Sequence, residues 1–177
     1  LSVKGNRFLY KYKTERILFA IAFSVNFAPV QTKNMQEEAR NTETPQRVLE
    51  IMMEKDEFTK WLGIEFIFIE SGACQLKFKV RKEMLNGFNS IHGGVLFSAA
   101  DSAFAFACNS YGLLNVALEC NISFTRPAFE GQELLLTAKE INKGKTTGIY
   151  EVSVVNEDGK LVALFKGVAF NTQKVHE

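Results

Sequence analysis

The residues best equipped for chemistry lie in the run Asn86-Gly-Phe-Asn-Ser-Ile-His92-Gly93-Gly94 and the apolar stretch Val95 to Ala107 that follows it. That stretch holds a single acid, Asp101. Its length and composition predict a buried helix with His-Gly-Gly at its start. Glycines there let backbone N–H groups approach a ligand closely, and the positive end of the helix dipole favours negative charge. This is the equipment for holding the polarised carbonyl oxygen of acyl transfer. A lone carboxylate among Phe, Ala, Leu and Val is too costly to bury without a use. The pair suggests ester or thioester hydrolysis.

Spacing then constrains how the two groups cooperate. Asp101 lies eight residues beyond Gly93, which is about 12 Å along one helix axis. A carbonyl held at Gly93 cannot also lie within about 3 Å of that carboxylate. If both groups are catalytic, Asp101 comes from a second chain whose helix runs beside the first in the opposite sense. The first strand of the sheet also has an edge that wants a partner. An obligate dimer is the expectation.

Plainer roles stand beside these. His92 at a helix start serves equally as a cap or as a structural histidine. Asp101 bonded to Ser98 or Ser102 would be a structural acid. His92 and His176 are the only histidines, so no metal site based on histidine is expected. Cys108 has no basic neighbour in sequence and reads as core packing rather than as a nucleophile. Phe66, Phe68, Phe104 and Phe106 read as core, some of them free to line an acyl pocket.

The elements that must position these residues are legible from periodicity. Apolar groups at Val48, Ile51, Met52, Phe58 and Trp61 are spaced for a helix over 45–61, with Thr44 as N-cap and Pro45 at the first helical position. From Gly63 the period becomes two. Ile64 to Ile69 is a strand turning through Glu70-Ser-Gly72 into a partner where Leu76, Phe78 and Val80 alternate with Lys and Arg. Val116, Leu118, Cys120, Ile122 and Phe124 alternate with Ala117, Glu119, Asn121 and Ser123, ending at Arg126-Pro127. Three further strands, about 133–141, 148–155 and 160–170, are joined by Asn142-Lys-Gly144-Lys and Asn156-Glu-Asp-Gly159, tight-turn sequences of antiparallel hairpins. A helix apolar on nearly every side must be wrapped. The expected class is α+β: a curved antiparallel sheet around one long helix, the hotdog arrangement, with an additional N-terminal helix.

Composition agrees with one domain of 177 residues, 46% hydrophobic and 23% charged. Charge is uneven: residues 1–34 carry a net +5 and the remainder −4. An acidic main domain argues against nucleic acid as partner. Cys74, Cys108 and Cys120 are odd in number and form no CxxC, as expected of free thiols in a reducing, cytoplasmic setting. In residues 1–34, basic Lys11, Lys13 and Arg16 precede an apolar run ending near Pro29, an order like a secretory signal. The run is too short to span a bilayer. The alternative is an upstream extension before a natural start at Met35, which the sharp change into Gln36-Glu-Glu favours. The expected organisation is therefore 1–34 outside the fold, a helical segment over 35–62 and the catalytic domain over 63–172.

With these elements in place, the chain resembles the PaaI-like (phenylacetic-acid-degradation type) hotdog thioesterases. The matching residues are Asn86, His92-Gly93-Gly94, Ala100-Asp101-Ser-Ala103, Phe104-Ala-Phe-Ala-Cys-Asn109-Ser110, Phe124-x-Arg126-Pro127 and Gly144-Lys-x-Thr-Gly148-x-Tyr150, in order over roughly residues 45–170. The resemblance implies hydrolysis of acyl-CoA, including aryl acyl-CoA, by a homotetramer built from dimers, with no metal and no cofactor beyond the coenzyme A of the substrate. It makes the Gly93 N–H the oxyanion donor and Asp101 either the nucleophile or the base that activates water. Asn86 and His92 would orient the thioester or water. Arg126 and the turn Lys143-Gly144-Lys145-Thr146 would lie near the coenzyme A phosphates. Some relatives carry a water-holding Ser or Thr where this chain has Ala117, which leaves open whether Asp101 acts on water or attacks directly. The alternative to a hydrolase is a non-catalytic hotdog module that binds acyl-CoA or an aromatic ligand. The Asn-His-Gly-Gly-Asp register counts against a hotdog hydratase or dehydratase. No membrane partner is expected.

Overall fold

A computed structural model describes residues 44–176; segment 1–34 and the first part of the 35–62 segment lie outside the described residues. Residues 44–55 are helical, α1, and Thr44, expected ahead of the helix, is itself within it. Val48 and Leu49 of α1 are buried. The helix does not continue to Trp61 as the spacing suggests. It breaks at Asp56, and a second helix, α2, spans Glu57–Leu62. Asp56 caps α2 because its Oδ1 accepts the Thr59 N–H at 2.9 Å. The break resets the phase: Thr59 and Leu62 turn inward, while Phe58 and Trp61 are 47% and 45% exposed.

Six strands follow: β1 Glu65–Glu70, β2 Ala73–Lys79, β3 Leu113–Phe124, β4 Glu133–Lys143, β5 Thr147–Asn156 and β6 Leu161–Val175. They form one sheet in the order β1-β2-β4-β5-β6-β3, every neighbouring pair antiparallel. The hairpins close where the turn residues stand. The Gly144 N–H donates to the Thr147 carbonyl and the Gly159 N–H to the Asn156 carbonyl, both at 2.8 Å. The long helix α3, Gly93–Asn109, lies across the sheet. This is the α+β hotdog fold.

Small residues bring α3 close to the sheet: Ala99, Ala100, Ala103 and Ala107 are all fully buried. Phe104 fills the space between, edge-on to Tyr150 with ring centroids 5.6 Å apart. The strand beneath it must be bare. A Cβ on Gly167 would stand 2.8 Å from the Phe104 ring.

Two bulges overturn simple alternation. In β1 the register shifts between Phe66 and Phe68. Phe66 packs edge-on against Phe106 at 4.7 Å, but Phe68 is exposed rather than core. In β3 the pairing passes from Ala117↔Ala169 to Glu119↔Val168 and Cys120↔Gly167, leaving Leu118 unopposed. Directly opposed residues share a face, so Ala117 joins Cys120, Ile122 and Phe124 on the helix side. Val116, opposite Phe170, faces outward with Leu118, and both are well exposed on an edge strand.

Candidate active site

The start of α3 is built around His92. Its backbone is extended, with φ −66° and ψ 133°. Its carbonyl accepts the Val95 and Leu96 N–H groups at 2.9 and 3.2 Å. Its Nδ1 accepts the Gly94 N–H at 2.9 Å. That hydrogen bond requires an unprotonated Nδ1, so the ring proton sits on Nε2 and is left as a donor toward solvent. Gly94 makes room for the ring, since a Cβ there would stand 3.0 Å from Nδ1. His92 is therefore a helix cap with a free donor at its tip.

With the next three N–H groups taken, the Gly93 N–H has no partner among the described residues. It stands at the positive end of a 17-residue helix. A Cβ on Gly93 would lie 3.1 Å from the Phe124 ring, so the absent side chain lets Phe124 stand over the first turn. An open cleft here is lined by Asn86, Ser90, Gly93, Leu96, Phe124 and Arg126. Its floor can hold a negative oxygen.

Asn86 lines this cleft but spends its amide on the loop. Its Oδ1 accepts the Phe88 N–H at 2.8 Å, and its Nδ2 donates to Ser90 Oγ at 3.1 Å. It thereby orders the chain that leads into His92. Arg126 is also at the cleft, with Nη1 donating to the Leu161 carbonyl at 2.8 Å.

Asp101 sits two turns along α3 and half-buried. Burial pushes its carboxyl above the usual carboxylate range, partly opposed by a hydrogen bond from Cys120. That thiol lies 3.7 Å from Oδ1. Neither serine is its partner: Ser102 Oγ is instead 3.1 Å from Thr59 Oγ1, whose hydroxyl also donates to Asp56 Oδ2 at 2.6 Å. Lys143 and Gly144 lie elsewhere. They line a small pocket with Cys108, Tyr111 and Tyr150, beyond the C-terminal end of α3. Lys143 Nζ stands 2.9 Å from the Tyr111 ring centroid, and Lys145 and Thr146 complete an exposed turn.

Within one chain, then, the fold gathers Asn86, His92, Gly93 and Arg126 at one end of α3. Asp101 is partway along, and the Lys143 to Thr146 turn is at the other end. Arg126 and that turn are not neighbours in one chain, because β3 ends beside the start of α3 while the β4–β5 turn lies beside its end. Sequence reasoning missed Phe124 as a wall of the cleft and Cys120 as the partner of Asp101. Both stand on the apolar side of the β3 alternation, which marks them as core and carries no signal of the cleft or the acid they meet. Among the described residues no three His, Cys, Asp or Glu side chains come together as a metal site.

Residues 88–163 match the family described as Thioesterase superfamily. The chain is 49% identical over 116 residues to the acyl-coenzyme A thioesterase PaaI of Escherichia coli, covering 66% of this chain and 83% of that protein. It belongs to the PaaI-like hotdog thioesterase family. The solved structure of E. coli PaaI, from the phenylacetic acid degradation operon, superposes with a TM-score of 0.74 at 42% identity, over 76% of this chain and 98% of that one. A Streptococcus mutans protein solved bound to acetyl-CoA matches with a TM-score of 0.62 at 26% identity, over 63% of this chain and 90% of that one. The PaaI-like family membership gives the cleft at Gly93 a chemical context.

Proposed function

We propose that this PaaI-like chain hydrolyses acyl-CoA thioesters to the free acid and coenzyme A at a site shared between two subunits. The observation that carries this reading is the unpartnered Gly93 N–H at the head of α3, in an open cleft, on the same helix as a half-buried Asp101. The thioester oxygen would take the Gly93 N–H, and negative charge growing on it would be stabilised by the helix end. Asp101 of the second chain then either removes a proton from water as it attacks the carbonyl carbon, or attacks that carbon itself. In the second case the anhydride so formed is opened by water. Either way coenzyme A leaves as the thiol and one water is consumed. Ala117 offers no hydroxyl to hold that water, which keeps both routes open.

The same antiparallel pairing of helices would bring the Lys143 to Thr146 turn of one subunit toward the Gly93 and Arg126 end of the other. The two basic elements that one chain keeps apart would then serve one coenzyme A. The exposed apolar side chains of Val116 and Leu118 on the β3 edge favour that edge as the seam of the dimer. We extend this to a tetramer of two dimers and to an aryl acyl group such as phenylacetyl, both suggested by the family. No helix among the described residues is long and apolar enough to cross a membrane, and the free thiols Cys74, Cys108 and Cys120 suit a cytoplasmic setting. No cofactor beyond the substrate's coenzyme A is invoked. The test is free-thiol release from a panel of aryl, short-chain and medium-chain acyl-CoAs. Turnover highest for an aryl thioester supports the full reading, and no release from any member overturns it.

A further inference from the structure

We propose that Cys120 is a positioning residue of this hydrolysis, its thiol donating a hydrogen bond that holds the Asp101 carboxylate in its working orientation. The inference rests on the hydrolase reading above and deepens it. Its basis is geometric. The β3 bulge at Leu118 places Cys120 as the next helix-facing residue after Ala117, opposite Gly167. Gly167 has no side chain to intervene, and Cys120 Sγ comes within 3.7 Å of Asp101 Oδ1. Among the described residues no other hydrogen bond reaches the Asp101 carboxylate. The nearby hydroxyl of Ser102 is engaged by Thr59.

A thiol suits this post. A carboxylate that must attack carbon or take a proton loses reactivity if strong donors stabilise its charge. A weak S–H donor fixes the orientation while lowering the basicity less than a hydroxyl or N–H donor would. The donor also stays a donor: burial, and then the charge of Asp101, push the Cys120 thiol up to about 11. It is thus protonated at neutral pH and neither a nucleophile nor a competing base. The titratable groups around Asp101 are few. Cys120 faces it from β3, with Glu119 beside that thiol, and Cys108 is on its own helix with a thiol pushed up to about 12. From α2 comes only the Thr59 hydroxyl, directed at Ser102 and bonded to Asp56.

The experiment measures kcat and KM against pH for the full chain with phenylacetyl-CoA and octanoyl-CoA as probes. It compares the wild type with Cys120→Ala, Cys120→Ser and Asp101→Asn. Loss of one charge-assisted hydrogen bond should lower kcat about tenfold in Cys120→Ala, with KM little changed. Because that bond holds the Asp101 carboxyl down, its removal should move the acidic limb of the kcat profile to higher pH. Cys120→Ser, a stronger donor, should recover most of kcat and move the limb below that of the wild type. A folded Cys120→Ala with wild-type kcat and an unmoved limb overturns the positioning role. Should Cys120→Ala not fold, a Cys120→Ser limb that coincides with the wild type overturns it instead. An Asp101→Asn chain as active as the wild type would overturn the hydrolase reading itself, and with it the role of Cys120.

Discussion

Asp101 shows how one residue can be costly to the fold and still be retained. Burial raises its carboxyl above the ordinary range, with only the Cys120 thiol working the other way. The folded chain therefore holds that proton more tightly than the unfolded chain. Between the unfolded value, about 3.9, and the raised folded value, stability should fall as pH rises. Asp101→Asn keeps the shape and removes that slope. Its melting temperature should equal or exceed that of the wild type above this window and converge on it below. Its turnover should drop by roughly a hundredfold or more with acyl-CoA. Unchanged turnover would leave the acid without a chemical role. Lys145 is a second, independent case, exposed on its turn. A point charge there should act on the coenzyme phosphates before the chemistry begins. Lys145→Ala should raise KM more than it lowers kcat, and added salt should reproduce the effect in the wild type. Equal KM values at low salt would remove Lys145 from the site. Gly93 and Asp101 were legible because a glycine at a helix start and an acid in an apolar helix are anomalies of type. Cys120 was not, since a cysteine in an apolar alternation looks like any core residue until the strand's facing is known.

At the scale of elements, the hairpins and α3 could be read directly, because turn residues and apolar runs report on their own neighbourhoods. The failures lie where a single residue resets a period. Asp56 ends one helix and caps the next, so Phe58 and Trp61 face outward despite helical spacing with Val48. One extra residue at Leu118 moves Ala117 into register with Cys120. Phe68 is lost from the core in the same way. The contact of α3 with the sheet, by contrast, depends on a position whose importance no local pattern reveals. Gly167 lies directly under Phe104, and a methyl there would meet the ring at 2.8 Å, well inside contact distance. Phe104 is fully buried, with the Tyr150 and Phe165 rings against it. Gly167→Ala should therefore cost about 1–3 kcal/mol in denaturant unfolding. Gly87, with nothing within 4 Å of an added Cβ, is the matched control, and Gly87→Ala should leave the unfolding midpoint in place. Equal midpoints for the two variants would mean that α3 rides higher on the sheet than described.

At the scale of the whole molecule, one number carries the proposed assembly. Gly93 and Asp101 share the helix α3, and eight residues of rise separate them by about 12 Å. One helix cannot bring both to the same carbonyl, but two antiparallel helices can do so twice, at two equivalent sites. The exposed β3 edge, with Val116 and Leu118 turned away from the helix, supplies a surface on which two such chains can meet. The consequence can be tested by complementation. Gly93→Pro deletes the N–H at a first helical position, which suits the proline backbone but obliges the Phe124 ring to give way, since an added Cβ meets it at 3.1 Å, and Asp101→Asn deletes the carboxylate. Each variant alone should be inactive, because both of its sites lack one half. In a mixed dimer, one site is assembled from the two intact halves and the other from the two broken ones. Mixed chains, co-expressed with different affinity tags and purified through both, should recover up to about half the wild-type turnover per dimer, with wild-type KM at the restored site. Folded heterodimers that stay inactive would place Asp101 and Gly93 in separate sites. Activity in either homodimer would show that its altered group is dispensable.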